Sequence, residues 1–369
     1  MNSMAIDRRH ILLGTLSAVV WPAALRGPAL AQSDVAFVAA SKRGDGYGVM
    51  LLGRDGHIVR EVPLSARGHD IALHSGSGRA VVFARRPGTF AVAFETGRDS
   101  PPQIFSAIEG RHFYGHGAFS RDGRLLYVSE NDIANARGVI GIYDVDGGYK
   151  RQGEMPSFGV GPHEIILLSD GRTLAVANGG IDTVPEAGRE NLNLDAMQPS
   201  LAFIDAASAA LLAKHTLPAD LAKLSIRHIA PDSEGRVWFG GQWEGDAAAT
   251  PELIGCAARD QSLKLITPQE SLGKGLKGYI GSVAASADGA IIAASAPKAG
   301  RVLYIESSSG NIIGTSNLKD GCGVAGGSAH TFAVTSGLGV FRYENPGEAT
   351  ISEIALADIA FDNHLRRLV

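Results

Sequence analysis

The sequence predicts an all-β fold, a seven-bladed β-propeller whose first blade is completed by the C-terminal strand. Three observations carry this. Short apolar runs alternate with turn residues along the chain, a signature recurs at about the length of a propeller blade, and the chain end supplies the one strand that the first blade lacks.

The apolar runs are rich in β-branched and aromatic residues, as in Leu125-Leu126-Tyr127-Val128, Val139-Ile140-Gly141-Ile142-Tyr143 and Val302-Leu303-Tyr304-Ile305. Runs of this length bounded by turn residues read as antiparallel strands. The chain has 47 glycines in 369 residues and no helix-length amphipathic stretch, which favours one repetitive β domain over two mixed ones.

The repeat is a His, Ser or Cys followed by five to seven residues, then Asp-Gly-Arg or a close variant, then an apolar strand. His116 leads to Asp122-Gly123-Arg124, His163 to Asp170-Gly171-Arg172, His228 to Glu234-Gly235-Arg236 and Ser282 to Asp288-Gly289. Degenerate copies start at His69, which leads to Ser77-Gly78-Arg79, and at Cys322. The intervals between successive anchors are 47, 47, 65, 54 and 40 residues, against roughly 40 to 50 for a four-stranded blade. The longest interval contains a polar stretch over residues 178–200, read as one long loop between two strands of the same blade.

Ahead of His69 there is room for only three strands, near Val35 to Ala40, Gly48 to Leu52 and Ile58 to Leu64. The missing innermost strand is assigned to the chain end, where His364 follows Cys322 by 42 residues and makes a seventh anchor. Closure of this kind removes an exposed sheet edge.

The N-terminus reads as a targeting segment. Asp7-Arg8-Arg9-His10 is a twin-arginine pattern, an apolar run follows to about Trp21, and Ala29-Leu30-Ala31 offers a small-residue cleavage site. The run is interrupted by Gly14 and Pro22 and is shorter than the roughly 20 residues a spanning helix needs. Residues 1–31 are therefore expected to be a Tat signal and residues 32–369 one exported, periplasmic propeller with no stable membrane insertion.

Equivalent positions on seven inner strands converge on the central channel. The anchors place five histidines and one cysteine there: His69, His116, His163, His228, Cys322 and His364. Imidazole nitrogen and thiolate are ligands for iron, copper and zinc, so the constellation predicts a transition-metal site at one mouth of the channel. A thiolate ligand would favour copper. Loops on the same face are expected to supply supporting or lid residues, with Glu130, Asp132, Glu190, Asn191, Asn193 and Asp195 as candidates. Arg227, beside His228, is a candidate for the same shell or for an anionic ligand. Cys256 reads as a core thiol.

Other chemistries are excluded or unsupported. Lys and Arg total 34 against 38 Asp and Glu, with no basic cluster, so nucleic acid is not a partner. There is no Gly-x-Ser-x-Gly elbow, His-Glu-x-x-His, phosphate loop or Cys-x-x-Cys-His. A metal-free interaction scaffold, or a propeller enzyme with a substrate the sequence does not name, stay open as alternatives to the metal reading.

The twin-arginine start, the Gly-His-Gly and Pro-His-Glu anchors, the loop Glu190-Asn191-Leu192-Asn193-Leu194-Asp195 and the ending Phe361-Asp362-Asn363-His364-Leu365 together resemble the bacterial domain-of-unknown-function family 1513. Members typically end Trp-Asp-Asn-His, where this chain has Phe361. The resemblance implies an exported propeller associated with imelysin-type proteins and haem-containing oxidoreductases of iron-acquisition systems. It therefore favours iron, and it implies no particular reaction.

Overall fold

The computed structural model describes residues 35–86, 88–184, 192–348 and 350–368, so the twin-arginine segment lies outside the described residues. Strands are numbered along the chain. The three N-terminal strands, β1 (Phe37–Arg43), β2 (Gly46–Leu52) and β3 (Ile58–Leu64), fall where the sequence places them. They form a sheet with β28 (Ile359–Arg367) in the order β28-β1-β2-β3. Six further four-stranded antiparallel sheets follow in chain order, which makes seven blades. The long interval between His163 and His228 hides no extra blade. It holds a connection from β13 (Thr173–Asn178) to β14 (Ser200–Asp205), neighbours in one sheet.

The innermost strands are β28, β4 (Gly68–His74), β8 (Arg111–Phe119), β12 (Pro162–Leu167), β16 (Leu224–Pro231), β20 (Ser282–Ala285) and β24 (Gly321–Gly326). Each anchor residue lies on one of them. The recurrent Asp-Gly turn that follows has a physical reason. Asp122 Oδ1 accepts the Arg124 backbone N–H and Asp170 Oδ1 that of Arg172, while Gly123 and Gly171 take φ of 69° and 68°, a region unfavourable for any side chain with a Cβ.

The apolar core sits between neighbouring blades. Trp238, Phe203, Phe239, Leu303 and Ile305 pack in one cluster that joins three of them. Phe361 and Leu365 of β28 are buried with Phe37, Met50 and Phe341, so the closing strand is part of the core on the first and last blades at once. Cys256, on β18 (Ile254–Ala258), is a buried free thiol in this core. Among the described residues no helix is long and apolar enough to cross a membrane.

Candidate metal centre

The inner strands are not regular where the anchors sit. Pairing of β4 with β5 (Arg79–Ala84) skips from Gly68 to Ile71, releasing His69 and Asp70 from the ladder. The pairing of β8 with β9 (Leu125–Asp132) skips from Phe113 to Gly117, around His116. Similar shifts fall at His163, beside His228 at Arg227, and between Ala39 and Ser41 opposite Asp362, Asn363 and His364. A bulge bends its strand and re-aims a side chain. Here five bulges turn five imidazoles into the channel. Ser282, whose strand pairs without a shift, contributes none.

The rings form one cluster. Centroids of His116 and His364 lie 4.8 Å apart, His69 and His364 4.8 Å, His228 and His364 4.7 Å, His116 and His163 4.9 Å, and His163 and His228 5.0 Å. All five residues are buried. Ligand nitrogens of His69, His116 and His163 lie within 4.8 Å of one another, and so do those of His116, His228 and His364. The close approach requires Gly115, whose φ is 102° and whose missing Cβ would lie 2.7 Å from Cδ2 of His69.

Carboxylates orient the rings. His69 Nδ1 donates to Asp362 at 3.0 Å, His116 Nδ1 to Asp70 at 2.9 Å and His228 Nδ1 to Glu164 at 3.3 Å. In a neutral imidazole with its proton on Nδ1, the Nε2 lone pair is available to a ligand. Nε2 of His116, His163 and His364 is buried with no hydrogen-bond partner among the described residues. An unsatisfied buried polar atom costs about 1–3 kcal/mol, so three on one cluster call for an explanation.

The acids are themselves clamped. Arg366 donates to Asp70 through Nε at 2.7 Å and Nη2 at 2.6 Å, and to Glu164 at 2.6 Å. Arg67 and Arg85 donate to Asp362 at 2.6 and 2.8 Å. Burial opposes charge on these acids, yet Arg366 holds Glu164 down at about 2 and Asp70 well below the carboxylate range. The hydrogen bond to His69, with Arg85, does the same for Asp362. Burial also lowers the imidazoles: His69 falls to about 3 although Asp362 opposes the shift, and His163 and His364 lie well below their usual value. These imidazoles are neutral at pH 7, the form that binds metals.

The shift has a consequence for the metal-free protein. The folded pKa of His69 is depressed, so between about 6.5 and 3 the unfolded chain binds the extra proton. Stability is then fully present above pH 6.5 and falls as pH falls through that window. His69 alone accounts for about 2 kcal/mol between pH 7 and 5. The urea midpoint of metal-free protein should drop over that range, and the drop should shrink in His69→Phe.

Three expectations need correction. Cys322 belongs to none of the ligand sets. The β24 bulge at Cys322 and Gly323 lays the thiol along β28, where Sγ donates to the carbonyl of Asp362 at 3.2 Å. Burial pushes the thiol up to about 12, so it is no thiolate at neutral pH and the argument for copper from sulfur is lost. Glu130 and Asp132 are not loop residues but the buried end of β9. Glu130 is taken by Tyr143 and Arg151, Asp132 by Arg111 and Arg137. In the long connection, Asn193 pins the chain by bonding the Asp182 N–H and Gly180 carbonyl, and exposed Asp195 pairs with Lys223. None of these four contacts an imidazole of the cluster. Glu190 and Asn191 lie outside the described residues. Arg227 is buried next to the cluster, bonded to Ser225 and Glu244; burial is the main cause of the lowered pKa of His163 and His228, and the Arg227 charge adds to it.

The supporting acids Asp70, Glu164 and Asp362 were not singled out by the sequence reading. The signal was there: an acid directly follows the anchors His69 and His163, and each bonds the anchor of the next blade.

The profile of the family described as "Protein of unknown function (DUF1513)" matches residues 62–368. The chain belongs to the DUF1513 family. No curated protein matches it. Among solved structures, this DUF1513 propeller is similar to a chain of the hydrazine synthase of Kuenenia stuttgartiensis, with a TM-score of 0.59 at 12% identity, covering 88% of this chain and 96% of that one. A chain of a nidogen/laminin complex aligns with a TM-score of 0.47 at 11% identity, over 76% of this chain and 93% of that one. At such identity, the likeness to the hydrazine synthase chain shows the fold alone. The cluster stands on this DUF1513 chain's own residues.

Proposed function

We propose that this propeller is a periplasmic metal-binding protein that holds a transition-metal ion inside its channel through the imidazoles of His69, His116, His163, His228 and His364, and serves metal acquisition or handling. One observation carries the reading: three buried Nε2 atoms face one cluster without partners, in rings whose neighbours are fixed at Nδ1 by Asp70, Asp362 and Glu164. Carboxylate-held imidazole with a free second nitrogen is the usual construction of a histidine metal ligand. The five imidazoles are buried, which suits retention of an ion better than open catalysis.

Iron and copper both accept imidazole donors. The twin-arginine segment supports export, and the association with imelysin-type proteins and haem-containing oxidoreductases, implied by the family resemblance, belongs to the same proposal. Metal analysis of natively exported protein tests it. The double variant His116→Ala/His163→Ala should lose the bound metal at least tenfold while its metal-free form keeps a cooperative melt. Metal-free wild-type protein, or a double variant that retains metal, contradicts the proposal.

A further inference from the structure

We infer that the channel site selects monovalent copper over divalent iron and zinc, an inference that rests on the metal reading above and adds to it the charge and donor type of the ion.

The first ground is the donor set. Every carboxylate beside the imidazoles is already engaged. Both oxygens of Asp70 are held by Arg366, and His116 adds a third bond. Glu164 accepts from Arg366 on one oxygen and from His228 and the Ile229 backbone N–H on the other. Asp362 accepts from Arg67, Arg85, His69 and the Asn363 backbone N–H. The Cys322 thiol is turned to backbone carbonyls. Asp70 and Glu164 lie within 4.8 Å of a His116 nitrogen, but Arg366 would have to release them before they could ligate; while it holds them, imidazole nitrogen is what remains for an ion. This donor set excludes hard, oxygen-seeking ions such as calcium and magnesium; zinc and iron accept imidazole as copper does, so among these three the low coordination number, two or three nitrogens without partners, favours a monovalent ion and the choice rests mainly on charge.

The second ground is charge. Three carboxylates next to the rings, Asp70, Glu164 and Asp362, are matched by three guanidiniums, Arg366, Arg67 and Arg85. Arg227 is matched by Glu244. The shell therefore offers no net negative charge to a buried cation. The cost of burying an ion grows with the square of its charge, and a buried charge without compensation is strongly disfavoured. A divalent ion in this shell pays about four times the penalty of a monovalent one. Binding is a simple addition: the Nε2 lone pairs form the bonds, no proton leaves and no electron moves.

The test is a competition. Full-length protein is refolded from urea under argon with equimolar Cu(I), Zn(II) and Fe(II), desalted and analysed for metals. Copper should exceed zinc and iron at least tenfold and give no Cu(II) resonance. Arg366→Gln removes one positive charge and releases two carboxylates, so it should move the ratio toward divalent metal by tenfold or more. A thermal melt establishes that the variant is folded; where it is not, the wild-type ratio decides alone. Equal or preferential retention of zinc or iron by wild type overturns the inference and leaves the metal reading standing. Retention of no metal at all removes the metal reading itself.

Discussion

A chain cut after Asp362 should show no cooperative unfolding transition and no bound metal. The cut removes His364, Leu365 and Arg366. It opens the edge of β1, whose pairs Val38 to Arg366 and Ala39 to Leu365 close the ring, and it strips a buried residue from the packing of Phe37, Met50 and Phe341. It also leaves Asp70 and Glu164 as buried acids without their guanidinium. Breaking one buried ion pair costs about 3–5 kcal/mol, and an exposed edge invites association. Against a total stability of about 5–15 kcal/mol, these losses together are enough to unfold the chain. Circular dichroism melts and size-exclusion chromatography read the result. Arg366→Ala keeps the strand and should lose only the ion-pair share, so it should still melt cooperatively at a lower temperature. A truncated chain that remains monomeric with a wild-type melt would show that β28 is not the closing strand.

Gly115→Ala should be nearly as damaging from a single methyl group. A side chain at φ 102° carries strain of about 1–3 kcal/mol, and the added Cβ would meet His69 Cδ2 at 2.7 Å. The ring cannot retreat easily, because His116 and His364 lie 4.9 and 4.8 Å from it, centroid to centroid. Metal content should fall along with the melting temperature. Gly123→Ala is the control. It has a positive φ of 69°, and its nearest neighbours would be ring atoms of His74, from 2.6 Å, in a turn whose ring bonds Ser77 and the Arg121 carbonyl rather than the imidazole cluster. It should cost stability and leave metal content unchanged. Equal metal loss in both would mean that Gly115 acts through the fold rather than through His69.

The repeat made the blades and the five histidines legible, because a turn of fixed chemistry places each anchor at the same height on its strand. The bulges were not legible. Nothing in the residues around His163 or Arg227 announces a skipped pair, yet the skip decides where the side chain points. That is why Cys322, equivalent by position, lies on the β28 carbonyls, while His364 faces the rings. Glu130 and Asp132 read as loop because they are polar. They extend β9 because Arg111, Arg137 and Arg151 neutralise them inside the blade, an arrangement that depends on residues from three other strands. Asp70 and Glu164 directly follow their anchors and Asp362 lies two residues before His364, but each serves the next blade's ring, and only the three-dimensional neighbour relation reveals the pairing.

Anomalous diffraction at the copper, iron and zinc edges, from crystals of protein isolated in native form without chelator, reads directly whether the five imidazoles hold a metal. One anomalous peak is expected inside the channel, within bonding distance of Nε2 of His116, His163 or His364 and with no sulfur ligand. A channel without an anomalous peak, or a metal bound elsewhere while the five imidazoles pack against one another unligated, would contradict it.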